Sequence, residues 1–473
     1  MLGIIVKWTA ILLLIAGSLR TQELTAIVDV SVVPMDRPGI VEHQTVIVAQ
    51  GRIQSIAPQR SARIPPNARR IDGRGRFLMP GLADMHVHFV RESLPDLPAA
   101  VANRSPGAPG IPASASADHE RENRAYALMF LANGVTTVRN MWGSPAIDAF
   151  AAEIRSGEVP GPFIYSTGPI TDGNPQVWFS SRMVETAAEA EAAVAADKRD
   201  GYIAIKIYSL LSSEAYAAIV SAARRDGLPV VGHVPRSVGL EGAIAAHQDS
   251  IEHLDEFLPS LQPGGRSREQ KPFAEALQDM DPSRLPALAH DIAAARISVC
   301  PTVVVYDLPR TDSVWREEAS FVPPSVFDRY ARMYPSIAAG TNPRSTPRAH
   351  ELNLSIVAAL HNAGVQLLLG TDTPKPGVLP GYSLHDELVN FVAAGMSAYE
   401  ALRAGTADAA RFLGRTSDFG VLTEGRRADV LLLEANPLDD VRNTSKIAGV
   451  MVAGRWLSAG DLKKSMVALR ASY

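Results

Sequence analysis

The stretch Pro80-Gly81-Leu82-Ala83-Asp84-Met85-His86-Val87-His88 is an apolar run that ends in two histidines separated by one residue. On a strand, residues i and i+2 project from the same face, so both imidazoles point the same way. Two such rings at a strand end make a pincer for a metal ion. The pattern by itself is common, and its weight depends on what lies elsewhere in the chain.

Outward from it, short apolar runs alternate with helix-like segments. Eight strands are expected: Leu82–His88, Val135–Asn140, Phe163–Thr167, Tyr202–Tyr208, Pro229–Val234, Ser250–Leu254, Ile297–Val305 and Val365–Thr371. Between them, Ala187–Arg199 and Glu214–Arg225 carry apolar residues at i, i+3 and i+4, the spacing of an amphipathic helix. Repeated βα units of this number favour a closed barrel over an open sheet. Two stretches break the alternation, Arg91–His119 and Pro309–Arg348, both rich in proline. Each follows a barrel strand, where long loops often serve as lids or substrate walls.

Both chain ends read as β-rich. Leu24–Val33, Gln44–Ala49 and Arg52–Ala57 are strand-like, with Gln50-Gly51 as a hairpin turn; near the C-terminus Ala428–Leu433 is strand-like and Gly449–Trp456 reads as a second hairpin turning near Ala453-Gly454. The expected fold class is therefore α/β: a (β/α)8 TIM barrel over 80–415, with a small β-sandwich domain assembled from 22–79 and 416–473.

Bulk properties narrow the function. A formal charge of −4 over 473 residues, with no long basic run, argues against nucleic acid as a partner. Cys300 is the single cysteine, so no internal disulfide and no cysteine metal cluster can form; it reads as a buried strand residue. At the N-terminus, Lys7 precedes the apolar stretch Trp8–Leu19, with small residues at Ala16-Gly17-Ser18. This is short for a membrane span and fits an export signal over 1–21, so a periplasmic or extracellular location is expected. An uncleaved anchor is the alternative.

Four more residues carry chemistry. Lys206 lies inside Tyr202-Ile203-Ala204-Ile205-Lys206-Ile207-Tyr208, where an ammonium is costly to bury. Either it is salt-bridged, or its amine carries CO2 as a carbamate whose oxygens can bridge two metals. His233 and His253 end two further runs, and Asp372 follows the apolar Val365–Thr371. A core histidine or a helix-capping aspartate explains each of these singly. Five strands each ending in a metal-competent residue are harder to ascribe to chance.

The set His86-x-His88, Lys206, His233, His253 and Asp372 resembles the amidohydrolase superfamily. More narrowly, Gly134-Val-Thr-Thr-Val-Arg139, Lys206-Ile-Tyr208 and His385-Asp-Glu-Leu with Ala394-Gly395 are similar to imidazolonepropionase-like members, including Xaa-Pro-type dipeptidases and related carboxypeptidases. Asn140 departs from the pattern, since many relatives carry Asp there, which puts a contact behind the ligands in doubt.

The resemblance implies two divalent cations; zinc suits the imidazole and oxygen donors, and manganese, cobalt or iron also fit them. His86, His88 and Asp372 would hold one, His233 and His253 the other, and carbamylated Lys206 would bridge them. It further implies amide hydrolysis of a dipeptide or N-acyl amino acid by a metal-bridging hydroxide. Asp372 would move the proton, Tyr208 would donate to the oxyanion and His385 would contact substrate. Homo-oligomers are common in such proteins. Two other readings are a mononuclear deaminase or cyclic-amide hydrolase, and a catalytically inactive exported binding barrel.

Overall fold

The computed structural model describes residues 24–89, 113–178, 180–262, 273–307, 313–333 and 335–473. The expected export signal and most of Arg91–His119 lie outside the described residues.

The chain begins with β1 (Thr25–Val32), β2 (Val41–Ala49), β3 (Arg52–Pro58), β4 (Arg69–Asp72) and β5 (Phe77–Pro80). The central segment contributes β6 (Leu82–Val87), β7 (Val135–Asn140), β8 (Phe163–Ser166), β9 (Ile170–Asp172), β10 (Arg182–Met183), β11 (Ile205–Ile207), β12 (Val230–Gly232), β13 (Ser250–Glu252) and β14 (Ser298–Cys300). The C-terminal part adds β15 (Val430–Leu433), β16 (Ile447–Val452) and β17 (Arg455–Ser458).

Strands from the two chain ends form one sheet in the order β17-β16-β15-β5-β1-β2-β3, with β4 on β1. Within it β1 branches, pairing antiparallel with β2 and parallel with both β4 and β5. Its own core includes Ile27, Val46, Val48, Leu78, Val430 and Leu432. Both expected hairpins form, and their turns, Gln50-Gly51 and Ala453-Gly454, have positive φ at all four residues. That is the backbone twist a two-residue hairpin requires. The chain does not stay β-rich to its end: Ala459–Arg470 is a helix, started by Ser458 capping the Asp461 amide.

In the central segment the strands are parallel and shorter than the sequence suggests. Ladders join β6-β7-β8 and β9-β11-β12-β13-β14, with β10 beyond β9. Single backbone bonds continue between them, from Ile203 N–H to the Ser166 carbonyl (3.0 Å) and from Gly168 N–H to that of Ala204 (2.9 Å). Val365–Thr371 makes no ladder. It touches β14 by one bridge, Leu367 to Val299, while Met85 N–H donates to Leu369 O at 2.8 Å and Asp372 N–H to His86 O at 2.6 Å. The reason for the missing ladder is local. Gly370 packs so tightly that a Cβ there would lie 2.6 Å from Cys300 Sγ and 2.8 Å from the His86 nitrogen, and Asp372 turns into the left-handed region at φ 59°.

Helices follow the strands, and their ends are written locally. Thr186 and Glu189 form a capping box on Ala187–Arg199. Ser212 caps Ser213–Asp226, which buries Ala215, Tyr216, Ile219 and Val220. Within Pro309–Arg348, helices Ser313–Ala319 and Pro324–Met333 occupy much of the expected loop. Proline there opens a helix instead of ending one, because the first helical residue needs no amide donor.

Leu432 is completely buried in the small sheet, whereas Val467 on the last helix is 44% exposed. Leu432→Ala is expected to cost about 2–5 kcal/mol, and Val467→Ala less than about 0.5 kcal/mol, measured from urea unfolding midpoints.

Candidate active site

All six residues expected to bind metal converge at the C-terminal ends of the parallel strands. His86 and His88 come from the end of β6, with ring centroids 5.2 Å apart. Lys206 is the middle residue of β11, His233 follows β12 and His253 follows β13. The His253 ring lies 4.7 Å from that of His86 and 4.6 Å from that of His233. Asp372 joins them: its Oδ1 is 3.0 Å from His88 Nε2 and 3.6 Å from His86 Nε2, and its Oδ2 is 3.6 Å from His253 Nε2. His253 and Asp372 both sit at positive φ, 70° and 59°. Non-glycine residues held there cost energy that surrounding structure must offset, and such positions cluster at functional sites.

The electrostatics follow from burial. His86 and Lys206 are wholly excluded from water, whereas the side chain of His88 retains 24% exposure, so the cluster opens to solvent on its side. Burial, then the nearby Lys206 charge, brings the His86 pKa down to about 3; burial also brings that of His253 to about 3 and lowers those of His233 and His88. Neutral imidazoles with a free lone pair result. Asp372 goes the other way. Burial opposes its charge, but Lys375, His253 and His86 outweigh burial and hold the carboxyl well below its usual range. Burial drops Lys206 to about 8, against the pull of Glu252 and Asp372.

Within the cluster three buried atoms, His86 Nε2, His88 Nδ1 and Lys206 Nζ, have no hydrogen-bond partner among the described residues. Ligand atoms of His86, His88 and Asp372 lie within 4.8 Å of one another. A neutral imidazole nitrogen left unbonded in a dry interior, beside a carboxylate and a second imidazole, is a donor set that fits a divalent cation.

Neighbours not foreseen as functional hold these groups in place. Asp84 accepts from the Thr371 hydroxyl (2.6 Å), the Thr371 amide (3.0 Å) and the His86 amide (3.2 Å), stapling β6 to the Asp372 segment. Glu252 accepts from His86 Nδ1 at 3.0 Å and pairs with Arg139, itself wholly buried. Lys375 pairs with Asp372. A carboxylate directly before His253 and another two residues before His86 were visible in the sequence, but nothing local says that they meet other strands. Asn140, the departure from the expected motif, accepts from the Phe89 amide at 3.1 Å and donates to Trp142 O at 2.9 Å, so it shapes the turn behind His88.

Tyr208 is where the sequence puts it, its ring 4.0 Å from that of His233, with burial raising the pKa of its hydroxyl. Trp178 bonds to Tyr208 and lies tilted against Trp142, centroids 5.8 Å apart; Trp142 in turn meets the His88 ring at 6.2 Å. These aromatics complete a wall on one side of the cluster. His385 is different. Its Nδ1 pairs with Thr444 Oγ1 at 2.8 Å, and the Asn133 backbone lies against it. Asn133 precedes β7, whereas the site lies past the other end of that strand, so His385 braces the helix Tyr382–Ala393 and is not a substrate contact. Position shortly after a strand misled, because the helix begins away from the cluster. Cys300 is a buried free thiol on β14, as expected.

The Amidohydrolase family matches residues 77–457. Among solved structures, a Bifidobacterium longum protein provisionally assigned as a prolidase superposes with a TM-score of 0.64 at 25% identity, covering 94% of this chain and 99% of that one. Bottromycin amidohydrolase superposes with a TM-score of 0.71 at 24% identity, covering 98% and 93% of the two chains. The Aspergillus niger ochratoxinase structure gives 0.61 at 20% identity over 92% and 96%. In sequence, ochratoxinase of Aspergillus niger is 41% identical over 81 residues, a stretch that is 17% of this chain and only 16% of that protein's length. The structural likenesses show a TIM-barrel-like α/β fold. With the match spanning nearly all of the strands that carry the cluster, the chain belongs to the Amidohydrolase family and is a hydrolase acting on carbon–nitrogen bonds.

Proposed function

We propose that the protein is an exported, binuclear metal-dependent amidohydrolase that cleaves a peptide-like amide, in a dipeptide or an N-acyl amino acid. The observation that carries the binuclear reading is Lys206: a fully buried amine, without a hydrogen-bond partner among the described residues, amid four imidazoles and Asp372. A structural lysine in that place would be salt-bridged. With a pKa of about 8 it supplies free amine, which adds to the carbon of CO2 and releases one proton to leave a carbamate. A bridging carboxylate of this kind has a use only between two ions, which favours this reading over the mononuclear deaminase or cyclic-amide hydrolase.

His86, His88 and Asp372 would hold one ion, His233 and His253 the other, with the Lys206 carbamate shared. When bound, two divalent ions, zinc being the best match to imidazole and oxygen donors, acidify the attacking water and polarise the scissile carbonyl. Asp372, ionised and already bonded to His88, takes the proton of that water and delivers it to the leaving amine. Tyr208 donates its hydroxyl hydrogen to the oxygen on which negative charge develops. Trp178, bonded to Tyr208, restricts where that hydroxyl points.

The hydrogen bonds linking each parallel segment to the next, and Leu369 and Asp372 back to β6, support a closed (β/α)8 barrel over 80–415. The shared sheet supports a second unit made of 22–79 and 416–473. Export rests on the composition of residues 1–21; among the described residues no helix is long and apolar enough to cross a membrane. The substrate class rests on the prolidase, Xaa-Pro dipeptidase and ochratoxinase among the similar structures.

Metal analysis of the purified protein should return two ions per chain; a value near one would favour the mononuclear alternative. Chelation should abolish turnover of a dipeptide and N-acyl amino acid panel, and added zinc should restore it. Lys206→Ala should lose bound metal and activity together, with partial rescue by short carboxylic acids; full metal content in that variant would make Lys206 structural. At saturating metal, Asp372→Asn should lower kcat by about 100-fold or more with little change in KM, since proton transfer is lost and substrate binding is not.

A further inference from the structure

Beneath the cluster lies a charged pair that the proposed chemistry does not use. Arg139 and Glu252 are both completely buried, with Arg139 Nη2 at 2.8 Å from each Glu252 oxygen. Arg139 is itself held, donating from Nε to Met85 O at 2.5 Å and from Nη1 to Ser250 Oγ at 3.3 Å, and its guanidinium lies 5.0 Å over the Phe412 ring. The Ser250 hydroxyl also donates to Glu252 Oε1. The remaining bond of Glu252 goes to His86 Nδ1 at 3.0 Å.

This arrangement has one consistent proton assignment. A carboxylate that accepts two guanidinium bonds and a hydroxyl bond is ionised and has no hydrogen to give. His86 Nδ1 must therefore carry the hydrogen, which leaves the lone pair on Nε2, the atom that faces Asp372. The other imidazoles are oriented by weaker partners. His253 Nδ1 meets Thr302 Oγ1 at 2.7 Å, and His233 Nδ1 meets Ser209 Oγ at 3.3 Å. Both are neutral hydroxyls. A carboxylate behind an imidazole raises the basicity of its far nitrogen more than a hydroxyl does, so His86 is the strongest neutral donor of the set.

We infer that the Arg139–Glu252 pair is a positioning device that locks His86 as an Nε2 donor and makes the His86–His88–Asp372 position the tighter of the two cation sites, the one that fills first. The inference rests on the binuclear reading above. Arg139 contributes by holding both Glu252 oxygens in place where no water reaches them. Without that partner the carboxylate would lose the guanidinium bonds to both oxygens that fix its orientation toward His86 Nδ1.

The test uses apo protein titrated with zinc against a chromophoric chelator, with melting temperature recorded for each variant. Wild type should show two dissociation constants. Glu252→Gln should weaken the tighter by about 10–100-fold and leave the weaker nearly unchanged, whereas Thr302→Val should weaken only the other. Arg139→Met/Glu252→Leu removes both charges, so no unpaired ion is buried; it should retain the fold and still lose the tight site. In apo wild type, nitrogen NMR of the histidine side chains should report His86 with hydrogen on Nδ1. Unchanged constants in a folded Glu252 variant, or His86 with hydrogen on Nε2, would overturn the inference. A wild type that binds one zinc ion removes the binuclear reading instead, and the tautomer measurement then decides the role of Glu252 by itself.

Discussion

The site depends on keeping an amine dry. Lys206 sits on a three-residue strand with no exposed surface, near His86, His233, Asp372 and the Arg139–Glu252 pair. An ammonium there faces a desolvation cost of several kcal/mol. Two carboxylates oppose that cost and Arg139 adds to it, and burial prevails, so the amine's pKa falls to about 8 and a fraction of it is uncharged at neutral pH. Every other property of the cluster is consistent with that balance. The imidazoles stay neutral because they share the same dry space, and Asp372 stays ionised because Lys375 reaches it.

The fold serves this balance through short strands. Short parallel segments place the ligand candidates at or near their ends, and His253 and Asp372 among them take left-handed backbone. Asp84 and Glu252 then act as ties between strands distant in sequence. Asp84 connects β6 with the Asp372 segment, while Glu252 connects β13 with β6 and β7. A metal site made from separate strands needs such ties, because small errors in the relative position of two strands move ligand atoms by whole bond lengths.

Much was readable beforehand. The apolar runs ending in His86-x-His88, Lys206, His233, His253 and Asp372 stood out because a charged or imidazole side chain at the end of a buried strand has few structural excuses. Hairpin turns at Gln50-Gly51 and Ala453-Gly454 were equally plain, since their residues tolerate positive φ. The failures were also physical. His385 looked like a site residue by its distance along the chain from Asp372, but its helix is braced by Thr444, from a distant part of the chain. Prolines in Pro309–Arg348 looked like loop markers, and some of them begin helices. That β1 accepts three strand partners is something alternation of side chains cannot foretell.

Residue types, their periodicity and the turns were enough to establish strands, helices and the identity of the donor atoms, because these follow from interactions within a few residues. Which nitrogen of each histidine is free, whether Lys206 has a counter-ion, and which acids stand behind the donors belong to a different scale. Arg139 and Glu252 are 113 residues apart, Asp84 and Thr371 are 287 apart, and nothing in either neighbourhood encodes the other. Those pairings exist only once the strands are laid side by side, when burial makes every unpaired charge costly and leaves each donor a single place to go.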